Sequence, residues 1–377
     1  MIQSLSNLNS TAFAATLASL LSALFLVFTK RWHAKLSADQ SYGIQKVHQG
    51  QTPRIGGVCL IVGFLTASLV IVSNSSGQNN QILFSVLLAC LPALIFGLIE
   101  DITKKVSTRV RLLATMCSGV IAWALTGYAL FRVDVPVVDS ILAFTPIAVL
   151  FTAFAVGGVA NAINMIDGFN GLASGTIIIC IGSLGIMAWQ VNDYPVFMLC
   201  IIIAAVTFGF LLVNFPYGKL FLGDGGAYTL GFMLAWVAVI LSCRHPEAIS
   251  PWAPLLACSY PILEAVMSMA RRFARCKALD LPDRTHLHSL IYRRVIPRYF
   301  KFKSRTLRNS AVSPLLWLFA MLPATLAVWL KGSTIYCVAV FVATAFIYAV
   351  IYTRISHFGW HWPRLMLRRR RPTSHHA

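Results

Sequence analysis

Residues 195–213 read PVFMLCIIIAAVTFGFLLV, nineteen positions with no charged side chain and a single hydroxyl. At 1.5 Å per residue, a helix of about that length crosses the roughly 30 Å hydrocarbon core of a bilayer. The pattern recurs along the chain, with further apolar runs near 10–29, 55–73, 82–99, 112–130, 141–163, 172–190, 226–243, 251–270, 312–330 and 334–353. The expectation is an all-α, polytopic membrane protein of about eleven spans, a single integral-membrane unit over 1–377. Of the 377 residues 58% are hydrophobic and 11% charged, against roughly 25% charged in ordinary soluble domains. A cytosolic globular enzyme is therefore excluded, and any chemistry has to sit on loops and helix ends.

The formal net charge is +19, and its placement tests the span count. With the N-terminus outside, eleven spans put 28 of the 31 Lys and Arg in cytoplasmic segments, leaving only Arg132, Arg244 and Lys331 outside. One miscounted span would invert every later loop and scramble that asymmetry. The C-terminus is thus expected in the cytoplasm, with a basic recognition loop at 271–311 and a basic tail at 354–377. Topology and anionic lipid headgroups account for the basic excess, so no nucleic acid is expected as a partner. The first run is followed by Lys30 and Arg31 and has no basic segment before it, which reads as a retained span and not a cleaved signal. The nine cysteines never come closer than 15 positions, so neither a disulfide framework nor a CxxC zinc site is expected.

Polar residues at membrane depth are costly, and here they gather at predicted cytoplasmic loops. In NAINMIDGFNGLASG (161–175), Asn164 and Asp167 stand three apart on one helix face, and Asn170 follows among glycines that let a ligand approach the backbone. A glycine-tolerant helix stop would explain the same letters. NFPYGKLFLGDGGAYTLGF (214–232) presents Lys219 and enters a span through Asp224. Asp224 suits a divalent cation such as Mg²⁺, which takes one or two carboxylates and completes its shell with phosphate oxygens and water; a plain helix cap is the alternative. Glu100-Asp101 ends a span one turn before Lys104 and Lys105, which is either a solvated ion-pair turn or a carboxylate that holds a metal or accepts a proton. Arg284, His286 and His288 in the long basic loop suit anion recognition better than zinc, although by themselves they are a weak signal that an ordinary solvated basic loop explains as well; Lys46, His48 and Arg54 before the second span are a similar weak signal. Glu264 is the one carboxylate inside an apolar run. Carboxylates for a metal, cations for phosphates and glycines for close backbone approach together make the inventory of phosphoryl transfer.

At this point the stretches 161–172, 215–226 and 283–288 resemble, in order and position, the polyprenyl-phosphate N-acetylhexosamine-1-phosphate transferases of bacterial inner membranes (glycosyltransferase family 4, undecaprenyl-phosphate GlcNAc-1-phosphate transferase-like). The similarity runs from about Lys46 to His288, some two thirds of the chain. It implies transfer of a sugar 1-phosphate from a UDP-N-acetylhexosamine to polyprenyl (undecaprenyl) phosphate, with release of UMP, on the cytoplasmic face of the inner membrane. It also implies Mg²⁺, or Mn²⁺ in its place, held by Asp224 and Asp167. Asp101, Glu100 and Asp167 are then the catalytic carboxylates, with Asp101 indispensable and Glu100 assisting. Lys46, His48, Lys104, Asn164, Asn170, Lys219, Arg284, His286 and His288 are the substrate-binding residues. A homodimer is compatible with this reading. Two departures stand out: Glu100 replaces the usual first Asp of the acidic pair, and Ser289 follows HxH where a third His is common. The second favours the branch that starts O-antigen or related surface polysaccharides over the peptidoglycan branch, which uses a muramyl-pentapeptide substrate. A transporter of an anionic lipid-linked solute is the competing class, but its site would be expected near the bilayer midplane, where charge is almost lacking.

Overall fold

The computed structural model describes residues 2–39, 52–74, 81–274, 285–302 and 304–357. It is built almost wholly of helices: α1 (Ile2–Phe28), α2 (Lys30–Ser37), α3 (Gly56–Asn74), α4 (Gln81–Ala89), α5 (Leu91–Thr103), α6 (Thr108–Thr126), α7 (Pro136–Leu142), α8 (Thr145–Ile166) and α9 (Leu172–Gln190) in the first half. The second half holds α10 (Tyr194–Asn214), α11 (Gly223–Arg244), α12 (Trp252–Ala257), α13 (Ser259–Ala274), α14 (Leu287–Leu290), α15 (Ile296–Tyr299), α16 (Arg305–Ser310), α17 (Val312–Leu330) and α18 (Thr334–Ser356). A two-residue antiparallel pairing of β1 (Ala38–Asp39) with β2 (Thr52–Pro53) is the only sheet among the described residues.

Among the described residues, ten helical segments are long and apolar enough to cross a membrane. They match ten of the eleven expected runs, with ends displaced by a few residues. The run at 112–130, for example, is helical from Thr108 to Thr126 and stops where Gly127 takes a left-handed φ of 74° and its N–H returns to Trp123 O. The eleventh run, 251–270, does not form one continuous helix. It is divided at Cys258 into α12 and α13, and the cause is local. Pro261 has no N–H to offer Ala257 O four residues back, and that carbonyl instead accepts from Cys180 Sγ at 3.2 Å.

Helix α11 is the axis of the bundle. It is apolar on every side, as a helix surrounded by others should be, and nearly all of it from Gly223 to Ser242 is buried. Helices α3, α5, α8 and α9 pack around it. Small residues set the crossing distance where two backbones meet: a Cβ on Gly97 of α5 would stand 2.5 Å from Gly225 Cα, and one on Gly57 of α3 would stand 2.8 Å from Gly226 N. Both crossings lie at the first turn of α11, so the segments bearing Arg54, Asp101 and Asp224 converge there.

Candidate active site

The connection before α3 runs alongside the connection before α11. Phe221 N–H donates to Pro53 O at 2.9 Å, Gly56 N–H to Phe221 O at 2.9 Å and Gly57 N–H to Leu222 O at 3.1 Å. These bonds hold Arg54 beside the start of α11. Its Nη2 donates to Asp224 Oδ1 at 2.5 Å, and its Nε lies 3.5 Å from Asp101 Oδ1. Arg111, from the first turn of α6, pairs with the other oxygen of Asp224 and lies over the Tyr228 ring, 5.7 Å from its centroid. The Tyr228 hydroxyl donates to Asn161 Oδ1 at 3.1 Å and is also bonded to Asn164, which ties the last turns of α8 to the same cluster.

Asp101 is fully buried. Its Oδ1 accepts the Asp224 N–H and its Oδ2 the Gly225 N–H, each at 2.8 Å. The first N–H groups of a helix have no partner within it, and here a carboxylate from a neighbouring helix supplies one where the helix dipole also favours negative charge. Asp101 therefore fixes the orientation of the residue expected to meet the metal. Glu100 turns the other way: its Oε2 accepts the Val106 N–H at 2.7 Å. Lys104 caps α5 with a left-handed φ of 57° and donates from Nζ to Asp101 O at 2.5 Å.

Asp167 follows α8 directly and is half-buried. Burial pushes its carboxyl up to about 7, with the Arg54 guanidinium pulling the other way. No ion pair or side-chain hydrogen bond engages that carboxyl among the described residues. Asn170 is buried inside the protein. Its Nδ2 donates to Pro216 O at 3.0 Å and to Ser310 Oγ at 3.1 Å, and its N–H and C=O bond Asn309 and Ser313. Asn214, buried beside it, accepts the Gly171 N–H at 2.5 Å and donates to Leu220 O at 2.7 Å. The two asparagines hold the 167–171 and 215–222 connections together. Lys219 is exposed on the second of these, its Nζ 5.8 Å from the Tyr217 ring centroid.

His288 approaches the 167–171 connection, and His286 stacks on His288. A Cβ on Gly168 would sit 3.6 Å from His288 Nε2, and Phe169 meets the His288 ring edge-on at 5.3 Å between centroids. The two imidazoles stack in parallel, 5.1 Å apart and 9° from coplanar. Lys46, His48 and Arg284 lie outside the described residues.

The structure thus gathers Asp101, Asp224 and Lys104 at one end of the bundle, with Asn164 linked through Tyr228 and Asp167 within the field of Arg54. His288 borders the same connection with His286 stacked on it, and Asn170 serves as an internal staple. Among the described residues no three His, Cys, Asp or Glu side chains stand close enough to hold a metal by themselves. Arg111, which partners Asp224, carries no motif signal beyond its charge. Arg54 was visible only as part of a weak PRIGG element.

Most of this site, including Asp101, Arg111, Asp167 and Asp224, lies in the part of the chain that matches a family model, with Arg54, His286 and His288 outside it. Residues 83–242 match the model of glycosyl transferase family 4. That match covers 160 of the 377 residues, the central part of the chain. Similar proteins agree. The chain is 28% identical over 280 residues to the undecaprenyl-phosphate alpha-N-acetylglucosaminyl 1-phosphate transferase of Yersinia pestis, covering 73% of this chain and 74% of the relative. It is 26% identical over 275 residues to a probable undecaprenyl-phosphate N-acetylglucosaminyl 1-phosphate transferase of Bacillus subtilis strain 168, covering 73% and 75%. The enzyme of Escherichia coli K12 bearing the same name as the Yersinia protein is 26% identical over 279 residues, at 73% and 74% coverage.

Proposed function

We propose that this protein transfers an N-acetylhexosamine 1-phosphate from its UDP-sugar to undecaprenyl phosphate at the cytoplasmic face of a bacterial inner membrane. UMP leaves, and the product is the lipid-linked diphospho-sugar that begins O-antigen or a related surface polysaccharide. The observation that carries the reading is the pair of arginines, Arg54 and Arg111, meeting Asp224 at the first turn of α11. Guanidinium forks recognise phosphate oxygens in the same geometry as carboxylates. The names of the relatives supply the lipid and sugar chemistry, and the asymmetry of basic residues supports the cytoplasmic orientation.

The chain's residues divide the work as follows. Arg54 and Arg111 bind the diphosphate, whose oxygens compete with the Asp224 carboxylate for the same guanidinium N–H groups and so free that carboxylate for a cation. Asp101 keeps the N–H groups of Asp224 and Gly225 in place, so Asp224 does not swing when its arginine partners are drawn away. Lys104 adds positive charge beside the diphosphate, while His286 and His288 contact it from the side of the 167–171 connection. A lipid phosphate oxygen attacks the sugar-bearing phosphorus, a P–O bond forms, and the bond to UMP breaks. A phosphate monoester is already largely deprotonated near neutral pH, with a second pKa of about 6, so the demand on Glu100 or Asp101 as a base is small.

The residues fit a hard divalent cation. The Asp167 carboxyl is engaged by no donor among the described residues, and Asp224 is the carboxylate that a diphosphate would release. Mg²⁺ takes one or two carboxylates and otherwise phosphate oxygens and water, consistent with fewer than three protein ligands. Asp167 and Asp224 would hold Mg²⁺, or Mn²⁺, which when bound would draw charge from the diphosphate.

The test is UMP release by the purified chain with undecaprenyl phosphate and a panel of UDP-N-acetylhexosamines, with and without Mg²⁺, beside Asp224→Ala. Lipid-dependent UMP release that needs both the metal and Asp224 is the expected result. Silence across the panel from folded protein would overturn the reading.

A further inference from the structure

Glu264 lies in the interior of α13 and is fully buried. An ionisable group at such a place is costly unless its partners satisfy it, and three donors converge on this one. Glu264 Oε1 accepts from His286 Nδ1 at 3.0 Å and from the Leu287 N–H at 3.1 Å. Its Oε2 accepts from the Tyr348 hydroxyl of α18 at 2.9 Å. Two of the three donors belong to the HxH segment, one a ring and the other the adjoining backbone, so a single carboxylate sets both the course of the chain and the rotation of the imidazole.

We propose that Glu264 is the positioning residue of the HxH element: by taking the Nδ1–H of His286 and the N–H of Leu287, it aims the Nε2 edge of His286 at the diphosphate of the sugar donor. This rests on the transferase reading above. The tautomer follows from the geometry. A carboxylate accepts only, so Nδ1 carries the proton in this pair, and Nε2 is the ring atom left for a ligand. No group bonds Nε2 among the described residues. Because His288 stacks on His286, fixing one ring also limits the rotation of the other, and His288 in turn borders Gly168 and Phe169. The carboxylate thereby links α13 and α18 to the rim of the site without touching substrate.

The test uses the full chain in detergent or nanodiscs and compares wild type with Glu264→Ala, Glu264→Gln, His286→Ala and the double variant Glu264→Ala/His286→Ala. Carboxylates that orient a functional imidazole are worth about 10- to 100-fold where they have been removed. Glu264→Ala is expected to lower kcat/KM for the UDP-sugar by that factor, mainly through KM for the nucleotide sugar, with KM for the lipid phosphate unchanged. Gln keeps an acceptor for both donors of the HxH segment, so Glu264→Gln restores most of the loss. In the His286→Ala background the further change at 264 costs nothing, the signature of a residue acting through another. Hydrogen–deuterium exchange over 285–291 reads the anchor without turnover, and Glu264→Ala should accelerate it. Equal losses with and without His286, a Gln variant as impaired as Ala, or exchange unchanged by Glu264→Ala would each overturn the proposal. Absence of lipid-dependent UMP release from wild type would instead defeat the transferase reading, while accelerated exchange would still report the anchor.

Discussion

Changing Asp101 to Asn separates a structural carboxylate from a proton acceptor. The substitution keeps the size of the side chain but replaces one acceptor oxygen with an NH₂. Of the two N–H groups held at 2.8 Å, one keeps an acceptor and the other faces a donor inside a fully buried site. The variant also removes the negative charge that lies 3.5 Å from Arg54 Nε and at the positive end of the α11 dipole. A hydrogen bond to a charged group contributes about 1.5–3 kcal/mol, and an unsatisfied buried donor costs about 1–3 kcal/mol. The expected loss is therefore about 3 kcal/mol of stability. Thermal unfolding of the detergent-solubilised protein, followed by intrinsic fluorescence, should show a midpoint several degrees below wild type. UMP release should fall together with it, because Asp224 loses its fixed orientation. Asp101→Asn with an unchanged midpoint and abolished turnover would refute the capping argument and return Asp101 to the role of base.

Other outcomes follow from the same geometry. Arg54→Ala and Arg111→Ala should each raise KM for the UDP-sugar by about 10-fold or more, the scale of one charge-assisted contact to phosphate, as read by initial rates over a range of donor concentrations. Gly97→Ala places a Cβ 2.5 Å from Gly225 Cα; opening that crossing should destabilise by about 1–3 kcal/mol, visible in the unfolding midpoint. Burial raises Asp167 from an ordinary 3.8 to about 7, so between those values the folded chain binds more protons than the unfolded one. Stability measured in EDTA should then decline as pH rises from about 4 towards 7, and Asp167→Asn should make that decline shallower. Chelation should also stop UMP release, with Mg²⁺ restoring it.

Much of the bundle is legible from letters, because a run such as 195–213 has only one economical way to satisfy its backbone in lipid. The break at 251–270 is less visible: hydropathy is continuous through Cys258, and only Pro261, with the missing N–H that leaves Ala257 O to another helix, signals it. The approach of the 161–175 and 214–232 segments follows from span parity, which puts their loops at one end. Asn170 shows where local reading stops. A polar residue among glycines suggests a ligand contact, but its partners Pro216, Asn309 and Ser310 lie far away in sequence. Arg111 is one cation among many in basic loops, and nothing in its neighbourhood of sequence announces that Asp224 waits across the bundle. Glu264 is conspicuous as a charge in an apolar run, yet the three donors that explain it come from two other segments.

The interruption at Cys258 has a bearing on how such a protein diversifies. An unbroken helix would transmit any change of tilt in its second half straight to the opposite end of the bundle, where Trp252 Nε1 donates to Val133 O and Ser250 to Asp134 Oδ2. With the backbone divided, α13 is a separate lever. It carries Glu264, and with it the aim of the histidine element, while α12 keeps its own attachments. The histidine element can thus be re-aimed by tilting one short helix, leaving the seam at the other end and the central α11 as they are.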